Sequence, residues 1–154
     1  MKIVKASEEQ LIELAGLQRR YMEYHEQIDE YFAFKDGISE LWIEYMKEVI
    51  KDENQIAFCA LVENRIVGYI TARTTERPPI YRIGRVGLIG DAFVLPEFRK
   101  QGIFSQLLEK AIEWMKKKGI DHVEHPVASK NEQGLKVWRN KGFKSYIVFL
   151  RKQI

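Results

Sequence analysis

A single cysteine, Cys59, leaves an internal disulfide without a second sulfur and fits a reducing compartment. Its place in the apolar run Ile56–Val62 makes it a small core side chain rather than a nucleophile. No apolar run reaches about 18 residues and no signal-peptide hydrophobic region is present, so neither a membrane partner nor secretion is expected, and the expected location is cytoplasmic. The usual nucleotide fingerprints, G-x-x-x-x-G-K-[ST] and G-x-G-x-x-G, are missing. The three histidines, His25, His122 and His125, share no metal-ligand spacing with one another, with the cysteine or with an acid, so no metal is expected. Charge is nearly balanced at +3. The run Lys116-Lys117-Lys118 closes a helical period, where cations favour the helix dipole, and no stacking aromatics are interleaved with it. It reads as a solvated helix end, and no nucleic-acid partner is expected.

What remains is an ordinary globular composition, 45% hydrophobic and 31% charged over 154 residues, which is one domain over 1–154 with interior enough for a core. Lys2–Lys5 reads as a short strand. Ser7-Glu-Glu-Gln10 is a capping box opening a helix with Leu11, Leu14, Ala15, Tyr21 and Met22 on its apolar positions. Ser39 is the expected cap of a second helix carrying Leu41, Trp42, Tyr45, Met46, Val49 and Ile50. Ile56–Val62 and Arg65–Arg73 are strands joined by the turn Glu63-Asn64. Thr74–Gly84, with Pro78-Pro79, is a loop, and Val86–Val94 is a strand. After a long helix stopped by Gly119 come the strand Asp121–Val127, a capping box Ser129-Lys-Asn-Glu132, a helix carrying Trp138, and a closing strand over Lys144–Lys152.

The most informative stretch is Val94-Leu-Pro-Glu-Phe-Arg-Lys-Gln-Gly-Ile-Phe104. It links an apolar strand to a helix in which Phe104, Leu107, Leu108, Ala111, Ile112 and Met115 share one face. A basic turn with one glycine therefore opens a helix directly after a strand. Backbone amides there lack intrahelical partners and the dipole adds positive potential, so the turn suits an anion such as a pyrophosphate.

The pattern Val94-x-Pro96-x-x-Arg99-x-x-Gly102 resembles the acyl-CoA-binding motif R-x-x-G-x-[GA] of the GNAT superfamily of N-acetyltransferases. Phe104 stands where that family usually has a small residue. Downstream, Asn131-Glu-Gln-Gly134-Leu-Lys-Val-Trp138-Arg-Asn-Lys-Gly142-Phe143 resembles the family's N-x-x-A-x-x-x-Y-x-x-x-G-F segment, with Gly134 for Ala and Trp138 for Tyr. Both motifs occur in the family's order, and the resemblance covers the whole chain.

The resemblance implies an α/β (α+β) fold: a mixed, mostly antiparallel central sheet of about six to seven strands flanked by helices, with the fourth and fifth splayed apart. It implies acetyl-CoA as co-substrate. The pantetheine arm would add like a strand along Phe93 and Val94. Glycines 84, 87 and 90 fit a strand that bends and lets another chain approach. The pyrophosphate would rest on the amides of Arg99, Lys100, Gln101, Gly102, Ile103, Phe104 and Ser105, and Asn131 would also border coenzyme A. The implied activity is transfer of an acetyl or other acyl group to the amine of a small molecule or peptide. A homodimer through exposed strand edges is common in the family.

In such a transfer a backbone amide near Val94 is the natural oxyanion donor, and a carboxylate should remove a proton from the incoming ammonium. Asp91, the sole acid in Val86–Val94, is either that base or a side chain that bonds local backbone or points to solvent at a bulge. Trp138 cannot give a proton to the leaving thiolate. It is either an aromatic wall or core, and the proton comes from another hydroxyl or from water, or the thiolate leaves unassisted. The segment Tyr24–Phe32, including Glu26 and Tyr31, either would suit a cationic amine or is a solvated helix end with Tyr31 and Phe32 in the core, whereas Arg77, Tyr81 and Arg82 would suit an anionic acceptor. An acyl-CoA-binding protein without catalysis is the alternative that Trp138 keeps open.

Overall fold

The computed structural model describes residues 1–154. Lys2–Lys5 forms β1, and after a 3-10 turn at Glu8–Gln10 the chain enters α1, Leu11–Ile28. The side chain of Gln10 returns to accept from the Ser7 amide at 3.0 Å, the reciprocal half of the expected capping box. A 3-10 turn at Glu30–Phe32 leads to α2, Ile38–Lys51. Its cap is Gly37 in the left-handed region rather than Ser39, which lies inside the first turn. Gln55–Val62 (β2) and Arg65–Glu76 (β3) form the expected hairpin, with Glu63 and Asn64 both at positive φ as a tight two-residue connection requires.

Arg85–Val94 is β4, Ile103–Lys117 is α3, Val123–Glu124 is β5 and Glu132–Asn140 is α4. The strands lie in the order β1-β2-β3-β4-β5, antiparallel except for the parallel pair β4–β5. Neighbouring residues on β3 separate the layers. A Cβ on Gly68 would touch Leu107 of α3, whereas the next ring, Tyr69, meets Trp42 of α2 edge to face at 6.0 Å. Alternation along a strand therefore puts α3 on one face of the sheet and α1 with α2 on the other. Leu14, Met46, Tyr69, Ile70, Leu107 and Met115 are fully buried in the core between these layers.

Several features differ from expectation. Thr74, Thr75 and Glu76 belong to β3 rather than to a loop, because β4 begins early enough for Glu76 to pair with Arg85. The cap of α4 is Asn131, whose side chain accepts from the Gly134 amide at 3.0 Å, rather than Ser129. The sheet has five strands, not six or seven. Of the expected strand Asp121–Val127 only Val123 and Glu124 are paired, and Lys144–Lys152 forms no strand. A strand exists only against a partner edge, and a two-residue β5 offers the C-terminal segment no ladder to extend; Ile147, Val148, Phe149 and Leu150 are consequently exposed.

Candidate functional site

The site begins with a bulge in β4. Ala72 pairs with Ile89 and Ile70 with Ala92, so Gly90 and Asp91 together oppose the single residue Thr71. The Thr71 hydroxyl accepts from the Asp91 amide at 2.8 Å, giving the extra backbone donor a partner. Gly90 is required here, since a Cβ would lie 2.7 Å from that hydroxyl. Gly87 makes room for Met115 of α3, and Gly84 lies before β4 with open space around it. Gly87 and Gly90 thus accommodate packed side chains, and Gly90 lies at the bulge where the strand bends.

Just before the bulge, β4 and β5 part. Their parallel ladder ends at Leu88 opposite Glu124, and the next carbonyl, Ile89, accepts from His125 Nδ1 at 3.0 Å instead of from a strand. The Leu95 amide bonds back to the Val67 carbonyl of β3 at 2.9 Å. Alternation then points the Val94 amide and carbonyl to the opposite, open edge. The Val94 carbonyl is taken by Arg99 Nε at 2.9 Å, and the Arg99 guanidinium lies over the Phe93 ring. The Val94 amide is left aimed into the splay.

The loop below this edge opens α3, with one departure from expectation: the Arg99 amide donates to the Pro96 carbonyl at 3.2 Å and is not free for a phosphate. Gly102 caps α3 at φ +79°, and Lys100 also has positive φ. The first backbone bond of the helix is Gln106 amide to Gly102 carbonyl at 3.1 Å, and the amides from Lys100 to Ser105 find no backbone acceptor. They can hold an anion with several acceptor oxygens. Lys141, at the end of α4, adds a cation here that no motif marks, donating to Ser105 Oγ at 2.6 Å. Phe104 turns inward and meets Trp138 edge to face at 5.1 Å, so its bulk lies among the packed aromatics of α3 and α4.

Trp138 is buried, stacked on His125 at 3.9 Å and edge to face with Phe143 at 4.9 Å. It is core that also fixes the wall of the splay. Burial lowers the His125 pKa to about 4, so the ring is neutral and its Nδ1 hydrogen is committed to Ile89. Asn131 is buried, and its Oδ1 receives the Tyr24 hydroxyl of α1 at 3.1 Å as well as the Gly134 amide. Neither Tyr24 nor His125 had a spacing signal; contacts between residues far apart in sequence bring them here.

On the other side of the bulge, Asp91 opens into a cleft of about 320 Å³ between α1, α2 and the sheet, lined also by Tyr21, Tyr45, Met46, Thr71, Arg73 and Leu88. Burial pushes the Asp91 carboxyl above its usual range, partly offset by the Tyr69 hydroxyl, which donates to Oδ2 at 3.2 Å, and by His25. The Tyr69 and Tyr21 hydroxyls are raised well above the ordinary tyrosine value by burial and by the Asp91 charge, so both remain protonated. Of the expected acceptor residues, neither Glu26 nor Tyr31 lines this cleft; Tyr31 is exposed beneath the Arg151 guanidinium, 4.4 Å from its ring. Arg77 stacks on Tyr81 and bonds the Ile83 carbonyl, closing the 77–84 loop on itself. No helix is long and apolar enough to cross a membrane.

Residues 9–143 match the model of the Acetyltransferase (GNAT) family. An uncharacterized N-acetyltransferase of Archaeoglobus fulgidus is 30% identical over 115 residues, spanning 74% of this chain and 73% of the relative. A tetramutant protein from Bacillus halodurans superposes with a TM-score of 0.88 at 19% identity over the full length of both chains. A predicted acetyltransferase from Clostridium acetobutylicum, solved with acetyl-CoA, gives 0.79 at 20% identity over 99% of this chain and 95% of its own. At such identities the two structures show a shared fold.

Proposed function

The chain belongs to the acetyltransferase (GNAT) family, and from that premise we propose that its single domain, residues 1–154, moves an acetyl group from acetyl-CoA to a primary amine of a small molecule or peptide by direct attack in a ternary complex. The observation that carries this reading is a convergence along β4: an open strand edge at Val94, a helix start whose amides from Lys100 to Ser105 lack backbone acceptors, and a raised carboxyl at Asp91. These residues fit coenzyme A. The amides from Lys100 to Ser105, with Lys141 beside them, would hold the diphosphate, and the free β4 edge would pair with the amides of the pantetheine arm. Bound acetyl-CoA supplies an activated thioester carbonyl.

The rest is done by the chain. Asp91 takes the ammonium proton so that the amine can attack; a carboxylate raised by burial is a stronger base than one in water. Tyr69 holds that carboxylate through its hydroxyl and, staying protonated, does not compete for the proton. The Val94 amide faces the negative charge that grows on the carbonyl oxygen. A thiol pKa of about 8.5 lets the thiolate leave without strong acid assistance. Tyr24, held against Asn131, is a hydroxyl on the same wall.

The test is thiol release from acetyl-CoA across amino acids, polyamines, aminosugars and peptide N-termini, with Asp91→Asn beside the wild type. The variant should lose about 100-fold in kcat while its CoA affinity by calorimetry stays within a few-fold. An unaltered pH–rate profile removes Asp91 from the reaction. CoA binding with no turnover on any amine selects the non-catalytic acyl-CoA-binding alternative.

A further inference from the structure

The cleft that opens from Asp91 is lined by one carboxylate and one guanidinium, and by no second ion of either sign. The guanidinium is that of Arg73, in the second half of β3, where its backbone is fixed between Gln55 of β2 and Leu88 of β4. Its side chain is exposed to the cleft and has no hydrogen bond or ion pair with any protein group. Nearby Arg85, by contrast, is spent on Asn54 at 3.0 Å, on Thr74 at 2.9 Å and on Glu76 at 3.5 Å. The acid next to the cleft, Asp52, does not line it and is engaged by Gln55 Nε2 and the Asn54 amide, each at 2.8 Å.

Thr71, which receives the Asp91 amide, and Arg73 are two residues apart on one face of β3, about 7 Å between Cα atoms. A free cation and a half-buried carboxylate thus face one space at a separation that a small molecule spans. The wall between them is apolar and aromatic, with Met46, Val49, Leu88 and Tyr45. The volume, about 320 Å³, is small for a ligand pocket. A polycation would find one acid and be repelled by Arg73, and an uncharged amine would leave Arg73 without a counter-ion.

Building on the acetyltransferase reading, we infer that the acceptor is a small aminocarboxylate with an apolar body, its amine at Asp91 and its carboxylate on Arg73. Arg73 is then a specificity residue. It touches the acceptor at the end away from the reacting amine, and a guanidinium suits a carboxylate because its paired donors match both oxygens.

The experiment compares an apolar amino acid, its carboxamide, the corresponding amine without the carboxylate, and spermidine, in wild type, Arg73→Gln and Arg73→Lys. Wild type should prefer the free carboxylate over its amide by about 10- to 100-fold in kcat/KM. Arg73→Gln should erase that preference through KM while leaving turnover of the amide and the CoA affinity unchanged, and Arg73→Lys should restore part of it. Calorimetry with CoA present should find the amino acid, but not its amide, bound by wild type and not by Arg73→Gln. Transfer to spermidine or to the amide as fast as to the amino acid overturns the inference and leaves the acetyltransferase intact. Failure to acetylate any amine overturns both.

Discussion

His125 illustrates what a single residue's surroundings decide. Its spacing in the sequence marks it only as no metal ligand; in the fold it stacks on Trp138 and donates to the Ile89 carbonyl, filling the place where a β4–β5 ladder bond would otherwise be. Burial lowers its pKa from 6.5 to about 4. The unfolded chain therefore binds a proton between those values that the folded chain does not, so the histidine's contribution is complete above pH 6.5 and is lost as pH falls toward 4. Between pH 7.5 and 5 this amounts to about 2 kcal/mol, and denaturant titrations should show wild type losing that much more than His125→Gln. Asp91, raised in the fold, pulls the other way at lower pH, which is why the difference between the two proteins is the quantity to measure. Equal pH slopes would mean that His125 is not the titrating group. Cys59 was legible without a structure: buried, its thiol pushed up to about 12, it is the inert core side chain its apolar neighbours implied. Arg73 was not legible, since one arginine in a strand carries no sign of which face it joins or whether an acid awaits it.

At the scale of elements, α3 was the most readable, because 3.6-residue periodicity is a local property. Leu107, Leu108, Ala111 and Met115 are buried as the pattern required, and Gly102 sits at the strand-to-helix turn. A Cβ on Gly102 would meet nothing within 4 Å, so the constraint is its φ of +79° rather than space. Gly102→Ala should therefore cost about 1 kcal/mol of stability, read by chemical denaturation. Gly102→Glu adds an anion beside the loop amides and should abolish CoA binding; unchanged affinity by calorimetry would count against the loop as the phosphate site. Ser39 and Ser129 have a capping residue's chemistry, but Gly37, in the left-handed region, and Asn131, whose side chain accepts from the Gly134 amide, hold the positions. Gly134 replaces the family's Ala where the Asn131 side chain leaves no room for a Cβ.

For the whole molecule, the order of elements and the antiparallel sheet followed from the sequence, and the number of strands did not. The C-terminal apolar run has a strand's composition, yet Phe149 and Leu150 are 89% and 91% exposed. Its attachments are polar: Tyr146 to Glu124, and Arg151 to Asp29 at 2.6 Å. Arg151 is half exposed and Tyr146 exposed, so these attachments contribute little, and a chain ending at Lys144 should keep cooperative unfolding and lose no more than about 4 °C in melting temperature. A larger loss by calorimetry, above all one that depends on protein concentration, would show that the segment is buried in solution against another surface.

Sequence alone determined the helices, the hairpin, the helix-opening glycine turn and the family, because periodicity and motif spacing act over a few neighbouring residues. Tertiary structure alone decided the bulge that aims Asp91, the histidine that holds β4 and β5 apart, the lysine beside the loop, and the free arginine facing a lone carboxylate. Each of these is a contact between residues far apart in the chain, and such contacts exist only once the sheet has set its register.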